Sequence, residues 1–155
     1  MSSSTMEQGK SIIFFKRLAP TAKAPVKAHD GDAGWDICVS RVEALAGMQG
    51  IICHSDLALA IPDGMWADLR ARSSVYRMGL FLSNGVGTID SGYRGEVMAC
   101  FYGTGPATKF YGKGDRFAQL VPMPCRTCDV EFVEVDNLED SADGRGKGGF
   151  GSSGA

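Results

Sequence analysis

The sequence lacks several features that mark common classes of protein. It has no basic surplus, since 16 Lys and Arg residues stand against 18 Asp and Glu, which gives a net charge of −2. Stable nucleic-acid binding is therefore not expected. No apolar run approaches the roughly 20 residues of a membrane-spanning helix, so no membrane association is expected either. The only two histidines, His29 and His54, are not part of a Ser/His/Asp arrangement, which argues against histidine-based catalysis.

The five cysteines are odd in number, and most lie in apolar runs, where a free Cys behaves as a small hydrophobic residue. This favours a reducing, intracellular compartment, cytoplasmic or nuclear. Cys125 and Cys128 have the spacing of a zinc or redox pair, but the histidines that could complete a zinc site lie far upstream. Residues 1–10 are Ser-rich and lack the apolar segment of a secretory signal. We expect them to form a flexible N-terminal tail, and organelle targeting stays open.

Short runs of β-branched and aromatic residues predict a single all-β domain. Turn-forming residues separate the runs at 62–64, 84–85, 90–92 and 112–114. Helical periodicity is scarce, and only residues 73–78 are expected to form one or two helical turns. Many short strands with closely spaced turns are typical of a β-sandwich or barrel. The predicted strands cover residues 12–18, 35–39, 51–61, 65–71, 80–83, 96–102, 116–122 and 130–135.

The composition changes after Asn137, where an acidic, polar stretch leads into a tail with six glycines among its last twelve residues. Such a segment cannot bury enough apolar surface to order itself, so a disordered tail is the simplest interpretation. Arg145 and Phe150 nevertheless suit a segment that orders around a ligand. Residues 146–151 formally match the glycine pattern of dinucleotide-binding folds, but the four residues that follow are too few for the helix that this motif needs.

Residues 85–96 form the densest candidate site. Their glycines and polar residues predict a β-hairpin, and turn geometry alone would explain them. In addition, Asp90 follows the apolar Ile89, and Tyr93 lies three residues later. A carboxylate beside an apolar wall can orient and deprotonate a water molecule, and a nearby aromatic ring can shape a pocket.

Three further polar positions are ambiguous when each is taken alone. Ser73 and Ser74 either cap a short helix or, with Arg72, hold phosphate oxygens at its start. Asp36 lies in an apolar strand and needs a partner, which is either a structural hydrogen bond or a hydrated Mg²⁺. Gln119 is a single amide among apolar neighbours.

Taken together, these segments resemble, in order and spacing, the five motifs of the dUTPase family. The resemblance runs from about Leu18 to the C-terminus. The matching segments are residues 33–36 (Ala-Gly-Trp-Asp), 72–74 (Arg-Ser-Ser), 84–95, 114–120 and 145–154.

The resemblance implies a fold, an assembly and an activity. The fold would be a jelly-roll-like, distorted β-barrel over residues 11–138 with one short helix. The assembly would be a homotrimer with active sites at the subunit interfaces, and residues 139–155 would form a flexible arm that closes over the site. The activity would be Mg²⁺-dependent hydrolysis of dUTP to dUMP and pyrophosphate.

The resemblance also implies roles for individual residues. Asp90 would be the general base that activates water for attack on the α-phosphorus, and Tyr93 would pack under the deoxyribose and exclude a 2′-hydroxyl. Asp36 would hold Mg²⁺ through water, Arg145 would bind the γ-phosphate, and Phe150 would stack over the base. The implied substrate-binding residues are Arg72, Ser73, Ser74, Asn84, Thr88, Ile89, Asp90, Tyr93, Met98, Gln119, Arg145, Phe150 and Gly151.

The sequence departs from the family motifs at three positions. Ser74 stands where Gly is usual, Ala71 where Pro is usual, and Trp35 where Tyr is usual. These departures concern the phosphate geometry rather than the reaction.

Two other functions stay open. The first is a dCTP deaminase, or a bifunctional enzyme, on the same fold, because residues 72–77 also resemble that family. Deaminases place a Glu ten residues after the hairpin Asp, but Cys100 stands there, and Glu96 is roughly 13 Å short of that position at ordinary strand rise. The second is a non-catalytic dUTP-binding regulator, which would not need the intact Asp90.

Overall fold

Short antiparallel strands account for nearly all of the regular secondary structure. The computed structural model describes residues 9–124 and 130–148. Within these ranges the only helix is a 3-10 helix at Ser73–Met78. The strands are β1 (Phe14–Arg17), β2 (Trp35–Cys38), β3 (Arg41–Ala44), β4 (Gly50–Ala60), β5 (Met65–Ala71), β6 (Leu80–Leu82), β7 (Val86–Ile89), β8 (Glu96–Gly103) and β9 (Arg116–Pro124).

The strands form two sheets that enclose one core. One sheet has the order β1-β4-β8-β6, with β3 also paired to β4, and the other has the order β2-β9-β5-β7. Among the described strands the two sheets are not closed into a continuous barrel. The predicted all-β, jelly-roll-like fold with one short helix is confirmed. No helix in the described ranges is long and apolar enough to cross a membrane.

The core is built by side chains that point inward from alternate positions of the strands. On β8, for example, Val97, Ala99 and Phe101 are buried, whereas Met98 between them is exposed. The Phe101 ring meets the Phe117 ring edge to face, with centroids 6.4 Å apart. Both rings are fully buried, so truncation of either to Ala would cost about 3–5 kcal/mol of stability. This core holds the two sheets, and therefore the loops that cross between them, in fixed positions.

The predicted and observed strands differ at three places. Strands β3 and β7 were not predicted as separate strands, because β3 (Arg-Val-Glu-Ala) is exposed and β7 contains a glycine. The prediction of a strand at 130–135 is wrong for the single chain, where these residues form no strand. Turns at 63–64, 91–92 and 113–114 and the helix at Ser73–Met78 lie where the sequence predicted them.

Candidate active site

The segment between β6 and β8 crosses from one sheet to the other and back. After β6, the Gly85 amide donates to the Leu82 carbonyl oxygen at 3.0 Å, and the Val86 amide donates to the Asn84 carbonyl oxygen at 2.8 Å. Gly85 has a φ of 69°, a left-handed conformation that favours glycine. This tight turn directs β7 into the second sheet, and the residues after β7 return the chain to β8 in the first. Because β7 pairs with β5, and β8 pairs with β4 and β6, these two strands do not pair with each other, and the predicted β-hairpin at residues 85–96 is wrong. We keep the name hairpin for residues 84–96, which connect the two sheets. The crossing leaves a pocket between hairpin and core.

The pocket has a volume of about 210 Å³. An adjoining cavity of about 270 Å³ shares four of its lining residues and extends it along β8 towards Cys100. Five of the predicted substrate-binding residues therefore line one concave surface, whose walls are mainly apolar and main-chain atoms, as is usual for small-molecule sites. The pocket is lined by Leu69, Asn84, Gly87, Thr88, Ile89, Tyr93, Glu96, Val97 and Met98.

Tyr93 forms a wall of this pocket. Its hydroxyl donates to the main-chain carbonyl oxygen of Glu96 at 2.9 Å. The ring also lies directly over Gly95, where a Cβ atom would be only 2.5 Å from the Tyr93 hydroxyl. A side chain at position 95 would therefore displace the ring. Two local features of the hairpin thus fix the Tyr93 ring.

Asp90 follows the pocket residue Ile89 at the end of β7. Its main-chain carbonyl oxygen accepts a hydrogen bond from the Tyr93 amide at 3.1 Å, which closes the turn of the hairpin. Ile89 is buried, whereas Asp90 is exposed. The carboxylate therefore lies at the rim of the pocket, where it is accessible to water and to a ligand.

A second group of predicted residues lies on β2, β9 and the end of β5, around Asp36. One Asp36 oxygen is 3.6 Å from Nε of Arg72, and the other is 3.2 Å from a terminal nitrogen of Arg116. Gln119 lies directly opposite Asp36 in the register of β2 and β9, and opposite Arg70 in the register of β9 and β5. The two guanidinium groups outnumber the single carboxylate, so this cluster can bind an anion.

The start of the 3-10 helix leaves polar groups available to a ligand. Arg72 is its N-cap residue, and no side chain forms a capping hydrogen bond, so the interpretation of Ser73 or Ser74 as a capping residue is wrong. Nε of Arg72 is buried without a hydrogen-bond partner in the described part of the chain. A buried donor without a partner is costly, and a phosphate oxygen would satisfy it.

The described residues do not form a metal site of their own. They contain no group of three or more His, Cys, Asp or Glu side chains placed to hold a metal ion. Both oxygens of Asp36, the predicted metal ligand, face arginines. A metal ion at this position would need most of its ligands from a bound molecule or from water. The role of Asp36 as a metal ligand therefore stays a prediction.

Within one chain, Asp90 and Arg72 lie far apart. Ile89 pairs with Ala67 near the start of β5, whereas Arg72 follows the last residue of that strand. Asp90 is thus level with Trp66, six residues before Arg72, a separation of about 20 Å along the strand. A general base must act within hydrogen-bond reach of the water that attacks the bound phosphate. Within one chain, Asp90 is therefore too far from Arg72 to act on a phosphate group bound there.

The C-terminal arm is described as far as residue 148. Nε of Arg145 donates to the Gly148 carbonyl oxygen at 3.1 Å, and the Arg145 amide donates to Asp143 at 3.0 Å. Arg145 thus lies in contacts within the arm. Phe150 and Gly151, like Cys125 and Cys128, are outside the described residues, so their predicted roles stay predictions.

Two residues near these clusters received no role from the sequence alone. Arg116 was part of a motif, but its contact with Asp36 depends on the pairing of β2 with β9 across 80 positions. Glu96 lines the pocket, and its carboxylate is hydrogen-bonded to His54. The alternation of β8 could have indicated which residues face outward, but not their partners.

Comparison with known proteins gives the same family by sequence and by structure. The chain matches the family described as dUTPase over residues 21–154. It is 44% identical over 148 residues to the deoxyuridine 5'-triphosphate nucleotidohydrolase of Thermobifida fusca (strain YX), covering 94% of this chain and 80% of that protein. It is 39% identical over 146 residues to the protein of the same name from Nocardia farcinica (strain IFM 10152), covering 93% and 86%.

Solved structures agree with this match. A variant of the Staphylococcus bacteriophage 80alpha dUTPase with dUpNHpp superposes with a TM-score of 0.79 at 27% identity, covering 94% of this chain and 100% of that chain. A variant of the dUTPase from phage phi11 of S. aureus, described as coordinating a structural Mg(II) ion, has a TM-score of 0.70 at 24% identity, covering 83% and 99%. The hairpin pocket and the arginine cluster thus occur in a chain that, by sequence and by fold, belongs to the dUTPase family.

Proposed function

We propose that this protein hydrolyses dUTP to dUMP and pyrophosphate. The observation that carries the proposal is the hairpin pocket, which gathers Asn84, Thr88, Ile89, Tyr93 and Met98 next to the exposed carboxylate of Asp90. Relatives at about 40% identity are named deoxyuridine 5'-triphosphate nucleotidohydrolase, and a structural neighbour was solved with dUpNHpp.

In the proposed reaction the pocket binds the nucleoside, and Asp90 acts on water. The uracil edge is recognised by Asn84 and by main-chain groups of the hairpin as far as Met98, and a site built for this donor and acceptor pattern rejects cytosine. The Tyr93 ring packs under the deoxyribose and leaves no room for a 2′-hydroxyl. Asp90 takes a proton from a water molecule as that water attacks the α-phosphorus in line with the departing pyrophosphate.

The phosphate oxygens are assigned to the second cluster. Arg72 supplies charge and its unpartnered Nε–H, Ser73 and Ser74 supply hydroxyl groups that do not cap the helix, and Gln119 supplies its amide. Arg145 binds the γ-phosphate when the arm closes, and Phe150 stacks over the base. With the arm closed, Arg145 neutralises negative charge that the pyrophosphate group gains as it leaves.

Because Asp90 and Arg72 lie about 20 Å apart in one chain, we infer that a second copy completes each site. The hairpin of one copy and the arginine cluster of another are different surfaces, and contacts between unlike surfaces can close into a ring such as the proposed homotrimer. The exposed apolar side chains of residues 130–138 support contact between copies, since Phe132 is 97% and Leu138 is 89% exposed.

Mg²⁺ dependence is part of the proposal, with Asp36 as the candidate ligand through water. Since the described residues do not hold a metal by themselves, the ion would arrive chelated by the triphosphate. When bound, it would neutralise phosphate charge. An intracellular location is proposed as well, and it fits the free thiols of Cys38, Cys53 and Cys100. Burial raises the pKa of the Cys53 thiol to about 12, so this thiol is inert.

The dCTP deaminase alternative lacks a free carboxylate in the pocket. Glu96 lines the pocket, but its oxygens are engaged by His54 and by the Asp56 amide. Cys100 occupies the position of the deaminase glutamate, and a thiol is a poor substitute for a carboxylate as a proton shuttle.

One assay tests the proposal against both alternatives. The protein is incubated with dUTP, dCTP or UTP and Mg²⁺, and pyrophosphate and ammonia are measured. We expect pyrophosphate from dUTP, little from UTP, and no ammonia from dCTP. Ammonia from dCTP at a comparable rate would indicate a deaminase or a bifunctional enzyme. Tight dUTP binding without any product would indicate a regulator.

A further inference from the structure

A buried histidine lies behind the pocket, between two carboxylates. His54, on β4, is only 6% exposed. Its Nδ1 is 2.7 Å from a carboxylate oxygen of Glu96 on β8, and its Nε2 is 2.9 Å from a carboxylate oxygen of Glu43 on β3. An ionised carboxylate only accepts hydrogen bonds, so both ring nitrogens must donate. With both carboxylates ionised, this geometry favours a positively charged imidazolium at His54.

The Glu96 carboxylate is held at both of its oxygens. One accepts from His54 and lies 3.4 Å from a terminal nitrogen of Arg41, and the other accepts from the Asp56 main-chain amide at 2.8 Å. Asp56 has a φ of 52°, unusual for a residue other than glycine, and it lies where the β4 register shifts between His54 and Ala58. The irregularity in β4 thus presents an N–H group to Glu96, in addition to the ring of His54.

Glu96 connects this network to the pocket. Its side chain belongs to the network, whereas its main-chain carbonyl oxygen accepts the hydrogen bond from the Tyr93 hydroxyl at 2.9 Å. It is also the first residue of β8 and lines the pocket itself. A shift of Glu96 would therefore move the acceptor that holds the Tyr93 ring.

We propose that His54 is a positioning residue for the nucleoside pocket: its imidazolium holds Glu96 in place, and Glu96 in turn fixes the Tyr93 ring against the sugar. The inference rests on the proposed function, because sugar selection by Tyr93 belongs to it. His54 does not touch the substrate and takes no part in the proton transfer.

The charge of His54 makes this support depend on pH. The charged groups that face the ring are Glu43 and Arg41 from β3, Glu96 from β8, and Asp56 from β4 itself. Burial lowers the pKa of His54, but the hydrogen bonds to Glu96 and then to Glu43 outweigh burial and raise the pKa above its ordinary value of 6.5. The stabilisation is therefore fully present below the ordinary pKa and is lost as pH rises through the higher pKa of the folded protein.

The kinetic test uses two substitutions of His54. His54→Gln is similar in size but uncharged, so it cannot replace the imidazolium that donates to both carboxylates. We expect this variant to raise KM for dUTP about tenfold and to leave kcat within about twofold of the wild-type value. The ratio of kcat/KM for dUTP over UTP should fall with it. His54→Arg keeps a permanent charge and several donors, so it should restore both KM and the ratio. Unchanged KM and ratio in folded His54→Gln, or a loss confined to kcat, would overturn the proposal.

The control is Glu43→Gln, which alters the outer neighbour of His54 and leaves Glu96 in place. The Glu43 side chain is 55% exposed and lies outside the pocket. Without this negative charge the pKa of His54 should fall. We expect wild-type KM at pH values where His54 is still protonated, and a rise in KM at a lower pH than in the wild type. A tenfold rise in KM at every pH would contradict the assignment of Glu96 as the connecting residue.

A spectroscopic measurement keeps the test independent of turnover and of the folding of His54→Gln. The chain has two histidines, and His29 is exposed, so ¹⁵N signals of the His54 ring can be assigned with His29 as an internal reference. His54 should be doubly protonated below its raised pKa. The Tyr93 ring signals should titrate with the same midpoint as His54, and they should stop titrating in His54→Arg. If the Tyr93 signals do not change as His54 titrates, the proposal is overturned, even if dUTP is hydrolysed. Absence of dUTP hydrolysis by the wild type, with the two titrations linked, would instead overturn only the proposed function.

Discussion

The two halves of the candidate site recognise their ligands by different means. The hairpin pocket is concave and mainly apolar, and its shape depends on a tight turn at Gly85 and on the Tyr93 ring over Gly95. The cluster around Asp36 has a high charge density, with Arg72 and Arg116 on one carboxylate. Shape suits a neutral base and sugar, and charge suits a triphosphate.

This difference explains why neither half is sufficient. A pocket without cations can select a nucleoside but cannot hold the transferred phosphate, and a cationic cluster can hold phosphates of any nucleotide. Selectivity and chemistry therefore both require that the hairpin and the arginine cluster meet. In one chain, Asp90 and Arg72 are about 20 Å apart along β5.

The largest expected effect comes from the carboxylate at the rim of the pocket. Asp90→Asn should lower kcat by about 10²–10⁴-fold, because the amide cannot accept the proton from water. Binding of dUTP should stay close to wild type, since the pocket walls are unchanged. Initial rates and calorimetry of dUTP binding measure the two effects, with Asp30→Asn, an exposed residue in the loop before β2, as control. Near-normal turnover would remove Asp90 from the mechanism.

Removal of the arm should have the next largest effect. Deletion from Ala142 onward removes Arg145 and Phe150 and should lower activity on the order of 10²-fold, while the protein stays folded. The last strand in the described part of the chain ends at Pro124, and the core residues found there do not include the arm. Activity and circular dichroism report the outcome, with a deletion of residues 2–8, in the predicted N-terminal tail, as control. Loss of the folded state on the longer deletion would make the arm structural and contradict its assigned role.

Local patterns predicted the elements that local residues determine. Strand β5 was predicted with its observed bounds, because turn residues precede it and apolar and polar residues alternate from Ala67 to Ala71. The Asn84–Gly85 turn and the 3-10 helix were predicted for the same reason. The hairpin site could also be predicted from the sequence, because its residues lie within one stretch of the chain.

Contacts between distant strands could not be predicted in this way. His54 appeared as an isolated residue, yet its partners Glu43 and Glu96 are 11 and 42 positions away, on two different strands. Arg116 reaches Asp36 only through the pairing of β9 with β2. Residues 130–135 have a strand-like sequence but form no strand in the single chain, which is consistent with a partner outside it.

The smallest expected effect concerns selectivity within the pocket. Tyr93→Ala should lower the ratio of kcat/KM for dUTP over UTP about tenfold, because the ring that excludes the 2′-hydroxyl is lost. Tyr93→Phe keeps the ring but loses the hydrogen bond to Glu96, so its ratio should fall between those of Ala and the wild type. Competition assays with both nucleotides give the ratio. An unchanged ratio in the Ala variant would assign sugar selection to another residue.

The central claim, that the pocket of one copy works with the arginine cluster of another, is tested most directly by mixing two inactive variants. Asp90→Asn lacks the base, and Arg72→Ala lacks the phosphate contact. In a 1:1 mixture of refolded subunits, about a quarter of the sites would combine an intact Asp90 from one copy with an intact Arg72 from the next. We therefore predict that dUTP hydrolysis recovers to about a quarter of the wild-type rate. A rate no higher than the mean of the two separate variants would mean that each site is built within one chain, which would contradict the account.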